Sequence, residues 1–507
     1  MDKTSSVEQV ENIDIEGDGE EIRVTKSKVN VSGTVQLTAG TIVYIPTPTS
    51  DPRDPLNMPK WQKTMVLIAI SLCEHSPVDD MVSGIGNLIG MPIAIAVGRR
   101  IVLLVATAIM LVGAILCAFA TNFEWHLGAR MLVGFVAGQS EALVPMITQE
   151  IFFLHERGTF LMVQQSIQTI ATAILVLFAS PIAGAITPEW WYGLGACLSG
   201  LSLVTAFIFV PETKYFRPRS SFQEDSSTEG LGKESDEHVS KSTHKVVTER
   251  PALDFVTYEA RTWRSDLRLW IGSPEWRLGM KSLIQTFELL LFPNVLWAMA
   301  LNGLTLGVNI AIGTTYGTIL TSSYHWPEKS ASYINCGQII TSLVALPVFG
   351  FGSDRLIAWF AKRRNGIHEP EIRLLPLIFP IIIGVFTAVL YGLGATNPAS
   401  YHWFVYAWAV AAYYFTFVGA NIVAITYLLD SYPQRASPLL IIICAFRGII
   451  SFGVSYGISP FIDRSGYDGA FGTFGGLTAA LGLLGVPVFI WGKKIRERTG
   501  KFAVDEE

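Results

Sequence analysis

Three charged residues stand inside otherwise apolar stretches and are the first candidates for chemistry: Arg130, Glu141 and Arg447. A charge at membrane depth costs about 2.5 to 3.5 kcal/mol on insertion scales, which makes each a functional candidate by default. Three readings are open for Glu141. It is a proton-binding carboxylate whose pKa is raised by burial, part of a site for a cationic or hydroxylated ligand, or the structural partner of an arginine on another helix. Uncharged polar residues also recur at helical spacing. Asn302, Thr305, Asn309 and Tyr316 fall on one face at 3.6 residues per turn, with Gly313 beside them. Shorter stripes are Gln165, Gln168 and Thr172; Asn335, Gln338 and Ser342; and Tyr414 with Asn421. Such side chains either bond neighbouring helices, for about 0.6 kcal/mol each, or face a polar cavity. The stripe from Asn302 to Tyr316 runs about 20 Å, and that length favours a cavity wall.

Other chemistries find little support. The eight histidines occupy loops, tails or boundary positions, which argues against a histidine proton relay. The five cysteines are scattered singly through apolar stretches, as small buried hydrophobes are, with no metal or disulfide spacing. There is no HExxH, no Gly-rich nucleotide loop ending in Lys-Ser/Thr, and no nucleophile with a histidine partner. No enzyme, cofactor or metal site is expected. The net charge of −5 resides in loops and tails and argues for no nucleic-acid partner.

The elements that position these residues are membrane helices. Half of the 507 residues are hydrophobic and only 16% are charged, and the mean hydropathy is +0.40. That is more apolar surface than water tolerates in a chain this long, so lipid is the solvent for most of it. Apolar segments occur at about 64–73, 81–97, 101–120, 127–147, 161–186 and 191–210, and again at 290–320, 331–352, 372–394, 401–428, 437–458 and 468–492. This predicts an all-α polytopic membrane protein in five parts: a disordered tail (1–58), a first membrane bundle (59–210), a polar central loop (211–285), a second bundle (286–493) and a C-terminal tail (494–507). The polar start predicts no cleavable signal peptide, so an internal span is expected to direct insertion. Lys and Arg concentrate in alternate short loops, at Arg99 and Arg100, Arg157, Arg355 to Arg373, Arg435 and Lys493 to Arg498. Both tails and the central loop are therefore expected to be cytoplasmic.

One segment breaks the pattern. Only ten uncharged residues separate Lys63 from Glu74, about 15 Å of helix, roughly half the hydrocarbon thickness. A full span and its outer loop are missing there, so 11–12 spans are expected.

Several motifs resemble the major facilitator superfamily, in particular its fungal branch related to drug:proton antiporters, across about residues 51–495. The run Asp51 to Trp61 looks like that branch's pre-membrane motif, with Met58 where a tryptophan is usual. Gly98, Arg99 and Arg100 resemble the end of the signature between the second and third spans, and Gly350 to Arg355 resembles its counterpart in the second half. Arg130 with Gly134 and Gly138 resembles the fourth-span motif. Glu141 to Pro145 and Phe152 to Gly158 resemble stretches of the fungal branch, Ser180 and Pro181 to Gly184 the antiporter motif, and Pro211-Glu212-Thr213 the usual end of the sixth span. The resemblance implies two six-helix bundles that rock about a central site. It also implies a charged latch just before Gly98, whose slots here hold Ile95 and Ala96, while Asp354 and Arg355 keep the second-half pair.

By that resemblance the chain is expected to be a secondary transporter, exporting a drug, toxin or secondary metabolite against protons, as a monomer in the plasma membrane. The alternatives are uptake of a cationic nutrient such as a polyamine, for which Glu141 would suit the charge, and a non-transporting or defective relative. The substrate or proton pathway is expected among Glu141, Gln165, Gln168, Asn302, Thr305, Asn309, Asn335, Gln338, Tyr414, Asn421 and Arg447. The gate motifs are Gly98, Arg99, Arg100, Arg130, Pro181, Gly184, Asp354 and Arg355.

Overall fold

The apolar segments become long helices in the computed structural model, which describes residues 33–36, 38–39, 41–42, 44–74, 80–185, 188–215, 253–269, 273–364 and 367–503. The first bundle comprises α1 (Lys60–Ser71), α2 (Asp80–Val97), α3 (Arg99–Ala118), α4 (Phe123–Ile151), α5 (Leu154–Ala185) and α6 (Pro188–Phe209). Among the described residues, nine helices are long and apolar enough to cross a membrane; α2 supplies a shorter apolar run, Val82–Val97.

The first helix is longer than its sequence suggests. Lys63, taken from sequence as a boundary, lies buried inside α1. Its ammonium donates to the carbonyls of Leu56 at 3.0 Å and Ile151 at 2.7 Å. It also lies 5.4 and 5.3 Å from the ring centres of Phe152 and Phe153. Ile151 is the last residue of α4, whose free carbonyls carry partial negative charge, so the cation is satisfied without water. A 3-10 turn carries α1 on to Glu74, and the Ser202 hydroxyl of α6 donates to the Leu72 carbonyl at 2.7 Å. The shortened helix is thus tied at both ends.

Within this bundle α2 packs on α4, and α3 on α4 and α6. The α2 and α4 backbones touch. A Cβ on Gly138 would stand 1.9 Å from the Ser83 carbonyl oxygen, and one on Gly86 1.8 Å from that of Phe135. Only glycine admits this approach.

The central loop is not wholly polar loop. After a short helix, α7 (Trp263–Asp266), the helix α8 (Trp276–Glu288) runs past the expected boundary at 285 and packs on α2. The second bundle follows: α9 (Pro293–Ser322), α10 (Cys336–Ala345), α11 (Ser353–Arg363), α12 (Ile378–Thr396), α13 (Trp403–Ser431) and α14 (Ala436–Ala503). α10 and α11 form one membrane crossing, joined by a π-helical turn, Leu346–Gly352. α14 contains two of the expected segments and breaks at Gly466, whose φ of 71° and ψ of 172° are not helical. Its first half packs Phe446 and Ile450 on Gly303 of α9, and its second half meets α12 at Gly475 and Gly482. The bundles meet along two seams, α2 with α14 and α5 with α10 and its π turn.

The tail also departs from expectation in its described part. The strands β1 (Val35–Gln36) and β4 (Ile367–His368) pair antiparallel, while β2 (Thr38–Ala39) pairs with β3 (Thr41–Ile42). The Leu154 amide donates to the Ile45 carbonyl at 2.8 Å, and Tyr44 lies 4.9 Å from Phe153 between ring centres. Backbone pairing holds this part on both bundles where apolar content alone would not; residues 1–32 lie outside the described residues.

The α2–α4 contact is open to a direct check. Gly138→Ala is expected to lower the thermal unfolding midpoint by several degrees, since overpacking costs about 1 to 3 kcal/mol. Gly128→Ala, where a Cβ meets nothing within 4 Å, should leave the midpoint unchanged or higher.

Candidate functional site

Where the two bundles face each other at mid-depth, α4, α5, α13 and α14 enclose a space of about 40 Å³, lined by Glu141, Gln164, Gln165, Gln168, Asn421 and Arg447 among others. That volume holds only a few waters. Its central interaction is an ion pair between the bundles: Arg447 Nη2 of α14 lies 2.9 Å from Glu141 Oε1 of α4. The arginine side chain is 12% exposed and the carboxylate 31%. Of the three sequence readings for Glu141, pairing with an arginine of another helix is the one realised geometrically, and the pair lines the cavity as well.

Neighbouring polar groups reinforce the crossing. The Thr169 and Tyr414 hydroxyls, from opposite bundles, are 2.6 Å apart. Gln165 Nε2 donates to Gln168 Oε1 at 3.1 Å. Asn421 accepts from Asn302 Nδ2 at 2.7 Å, both residues being buried.

The stripe on α9 is not the wall of this cavity. Asn302 is held behind Asn421, and the Thr305 hydroxyl donates to carbonyls of its own helix, Leu301 at 3.0 Å and Asn302 at 3.1 Å. Asn309 is half-buried. Tyr316 joins a separate cluster, in which Asn335 Nδ2 donates to the Tyr316 hydroxyl at 3.1 Å and Gln338 Nε2 to Asn335 Oδ1 at 3.2 Å. The stripe satisfies neighbouring groups, the use polar side chains in membranes commonly serve.

A second cavity, of about 130 Å³, lies within the first bundle, beside the last described turn of α1. Leu72, Arg130, Thr172, Tyr192, Ser199 and Ser202 are among its lining residues. Arg130 and Thr172 therefore face this space and not the central site.

The gate motifs divide by bundle. Arg99 donates from Nη2 to Glu150 at 2.8 Å, and the Arg99 and Arg100 amides donate to Glu212 at 2.9 and 3.1 Å. Glu212 thereby caps α3, where Gly98 takes φ +142° and a Cβ would stand 2.6 Å from the carboxylate. Nearby, the Tyr215 hydroxyl bonds Thr49 at 3.0 Å, and burial pushes that phenol up. All of these contacts stay on the first-bundle side. Asp354, in contrast, crosses between bundles: it accepts from the Thr159 amide at 2.8 Å and hydroxyl at 2.6 Å, with Arg373 Nη1 at 3.3 Å. The π turn just before Asp354 packs on α5 and aims it there. Arg355 is exposed. Pro181 and Gly184 lie in the last turns of α5, and their side-chain surroundings fall outside the described residues.

Sequence reading missed a buried charge centre beside this gate. Asp430, fully buried in the last turn of α13, pairs with Arg373, with Arg157 of α5 at 3.8 Å and with His368 of β4 at 3.4 Å. The expected span stopped at 428, which put Asp430 in a loop. The signal available was an acid directly continuous with an apolar run.

Comparison with known proteins follows the same lines. The Major Facilitator Superfamily profile matches residues 81–438. The MFS-type transporter C1271.10c of Schizosaccharomyces pombe is 24% identical over 91% of this chain and 89% of its own length. Efflux pump FUB11 of Gibberella fujikuroi is 25% identical over 76% of this chain and 61% of its own. In fold, the chain is similar to the proton:xylose symporter XylE, at 14% identity and a TM-score of 0.51, covering 83% of this chain and 94% of that one. With two bundles meeting about a polar centre and a family match over most of its length, the chain is a multi-pass membrane protein that belongs to the Major Facilitator Superfamily.

Proposed function

We propose that this chain is a proton-coupled exporter of a small organic molecule, working as a monomer with both tails and the central loop in the cytoplasm of a plasma membrane. The observation that carries the reading is the Glu141–Arg447 pair across the central cavity. A charge-assisted bond between carboxylate and guanidinium is stronger than a neutral one. A proton arriving at Glu141 removes its charge and loosens the tie between the bundles. A cationic or hydroxylated substrate that engages Glu141 competes for the same group. Competition for one carboxylate makes occupancy by proton and by substrate alternate, which is the logic of antiport. Gln165, Gln168 and Asn421 line the same cavity and supply hydrogen-bonding groups there, while Tyr414 bonds Thr169 across the bundles. The relative from Gibberella fujikuroi, efflux pump FUB11, supports export.

Uptake of an organic cation through the same carboxylate is the second reading, favoured by the acid at the cavity. A non-transporting relative is the third, favoured by the short α1 and the cavity beside it.

Proteoliposomes of the full chain, loaded with candidate organic cations or hydroxylated compounds and given a proton gradient, separate the three. Loss of the compound as protons enter is the expected result; accumulation with proton entry overturns export, and no movement under either gradient overturns transport. Glu141→Gln is expected to abolish proton-driven movement while substrate exchange without a gradient survives. Arg447→Gln and Glu141→Gln should each lower stability, and the double variant should lose less than their sum. The pair is partly exposed, so the expected coupling in thermal unfolding is about 1 kcal/mol.

A further inference from the structure

α8 presents three distinct faces. Gly279, Ser282 and Thr286 are buried, and a Cβ on Gly279 would stand 2.6 Å from the Pro92 carbonyl oxygen of α2. Trp276, Met280, Ile284 and Phe287 are exposed, at 60%, 60%, 57% and 52%. Their spacing of four, four and three residues puts them on a single stripe, about 120° around the helix from the buried face. Arg277 and Lys281, one turn apart and both exposed, edge that stripe, as does Glu288.

The helix also lies at the right depth for lipid. It leads through a 3-10 turn, Leu289–Leu291, into α9 at Pro293. α9 has 30 residues, about 45 Å, against a hydrocarbon core of about 30 Å. The excess leaves room for its start, next to α8, at headgroup level. An apolar stripe with aromatic anchors, edged by basic residues and low in overall hydrophobicity, fits a helix lying in the plane of the interface.

We infer that α8 is a membrane-surface helix whose apolar stripe enters the leaflet at the Asp354 end of the bundles, and whose Arg277 and Lys281 bind anionic phospholipid headgroups. The site is distinct from the central cavity and independent of the transport reading. It also bears on the gate. The Glu275 amide and the Lys214 ammonium both donate to the Ala96 carbonyl at 3.0 Å, one of the positions where the family's charged latch is absent. At the other end of α8, Glu288 receives Arg435 Nη1 at 2.7 Å. Lipid charge acting on α8 is therefore felt where α2 meets the second bundle.

The full chain would be placed in nanodiscs of phosphatidylcholine alone or with phosphatidylserine, which occupies both leaflets, so the outcome does not depend on which side of the cell this end faces. Phosphatidylserine is expected to raise the unfolding midpoint of the unaltered chain, and high salt to remove the rise. Arg277→Gln with Lys281→Gln should keep the neutral-disc midpoint and lose at least half of the rise; an equal rise in both proteins overturns the assignment. A nitroxide on Met280→Cys gives a second reading. Collision with oxygen exceeding that with a water-soluble relaxant is expected, and the reverse overturns lipid contact, leaving the stripe to a protein partner.

Discussion

A carboxylate buried away from water holds together whatever supplies its counter-charge, and Asp430 does this for separate parts of the chain. Its partners are Arg373 before α12, Arg157 at the start of α5 and His368 in β4. They come from both bundles and from the strand on which the N-terminal segment pairs. Arg373 is the hydrogen-bonded partner of Asp430, and losing that one would strip most of the counter-charge, where breaking a buried pair costs about 3 to 5 kcal/mol. Asp354 adds a second crossing a short way off, through Thr159. The two acids close one end of the molecule. Gly33, at φ +79°, sits against this end so tightly that a Cβ would stand 2.2 Å from the Asp430 carbonyl oxygen. The tail segment is thus fitted closely to this end of the molecule and not merely draped over it.

The Glu141–Arg447 pair differs in kind. Asp430 is wholly buried and multiply paired, whereas Glu141 has one guanidinium and is 31% exposed. A part-exposed pair contributes little net stability, so it can open at small cost. That difference suits a structural centre at the gate and an exchangeable contact at the cavity. Ile95 and Ala96 offer no charge at the end of α2, and the carbonyl of Ala96 is taken by the central loop through Lys214 and Glu275. A helix terminus leaves carbonyls to be satisfied by any donor near at hand.

The bundles were legible in the sequence because length and apolar content suffice to define a crossing. The central pair was legible only as two candidates. Nothing in the spacing of Glu141 and Arg447 says which of the intervening helices each will face, so the pairing needed the fold. The stripe on α9 shows the same limit: its periodicity was real, but one helical face can serve a cavity or a neighbour equally well, and Asn302 found Asn421. Charge misled where it was locally neutralised. Lys63 read as a boundary because an unpaired ammonium cannot enter a membrane, yet two carbonyls and two aromatic rings make it an interior residue. Asp430 was lost for the converse reason, since an acid at the end of an apolar run resembles a loop until its arginines arrive from distant segments.

The deficit of the short first helix falls inside the first bundle, beside Leu72. The cavity beside Leu72 is bounded by side chains of α3 to α6, within the first bundle. Left empty, 130 Å³ would cost about 3 kcal/mol at roughly 24 cal/mol per Å³, a burden that lipid or water entering the space reduces. The surfaces that meet the second bundle are elsewhere. They lie on α2, which packs on α14, and on α5, which packs on α10 and the π turn. Lys63 and Ser202 hold α1 at its two ends regardless of the missing length. The deficit therefore weakens the interior of one bundle while leaving intact the faces along which the two bundles must move, and it bears on the stability of the first bundle before it bears on rocking.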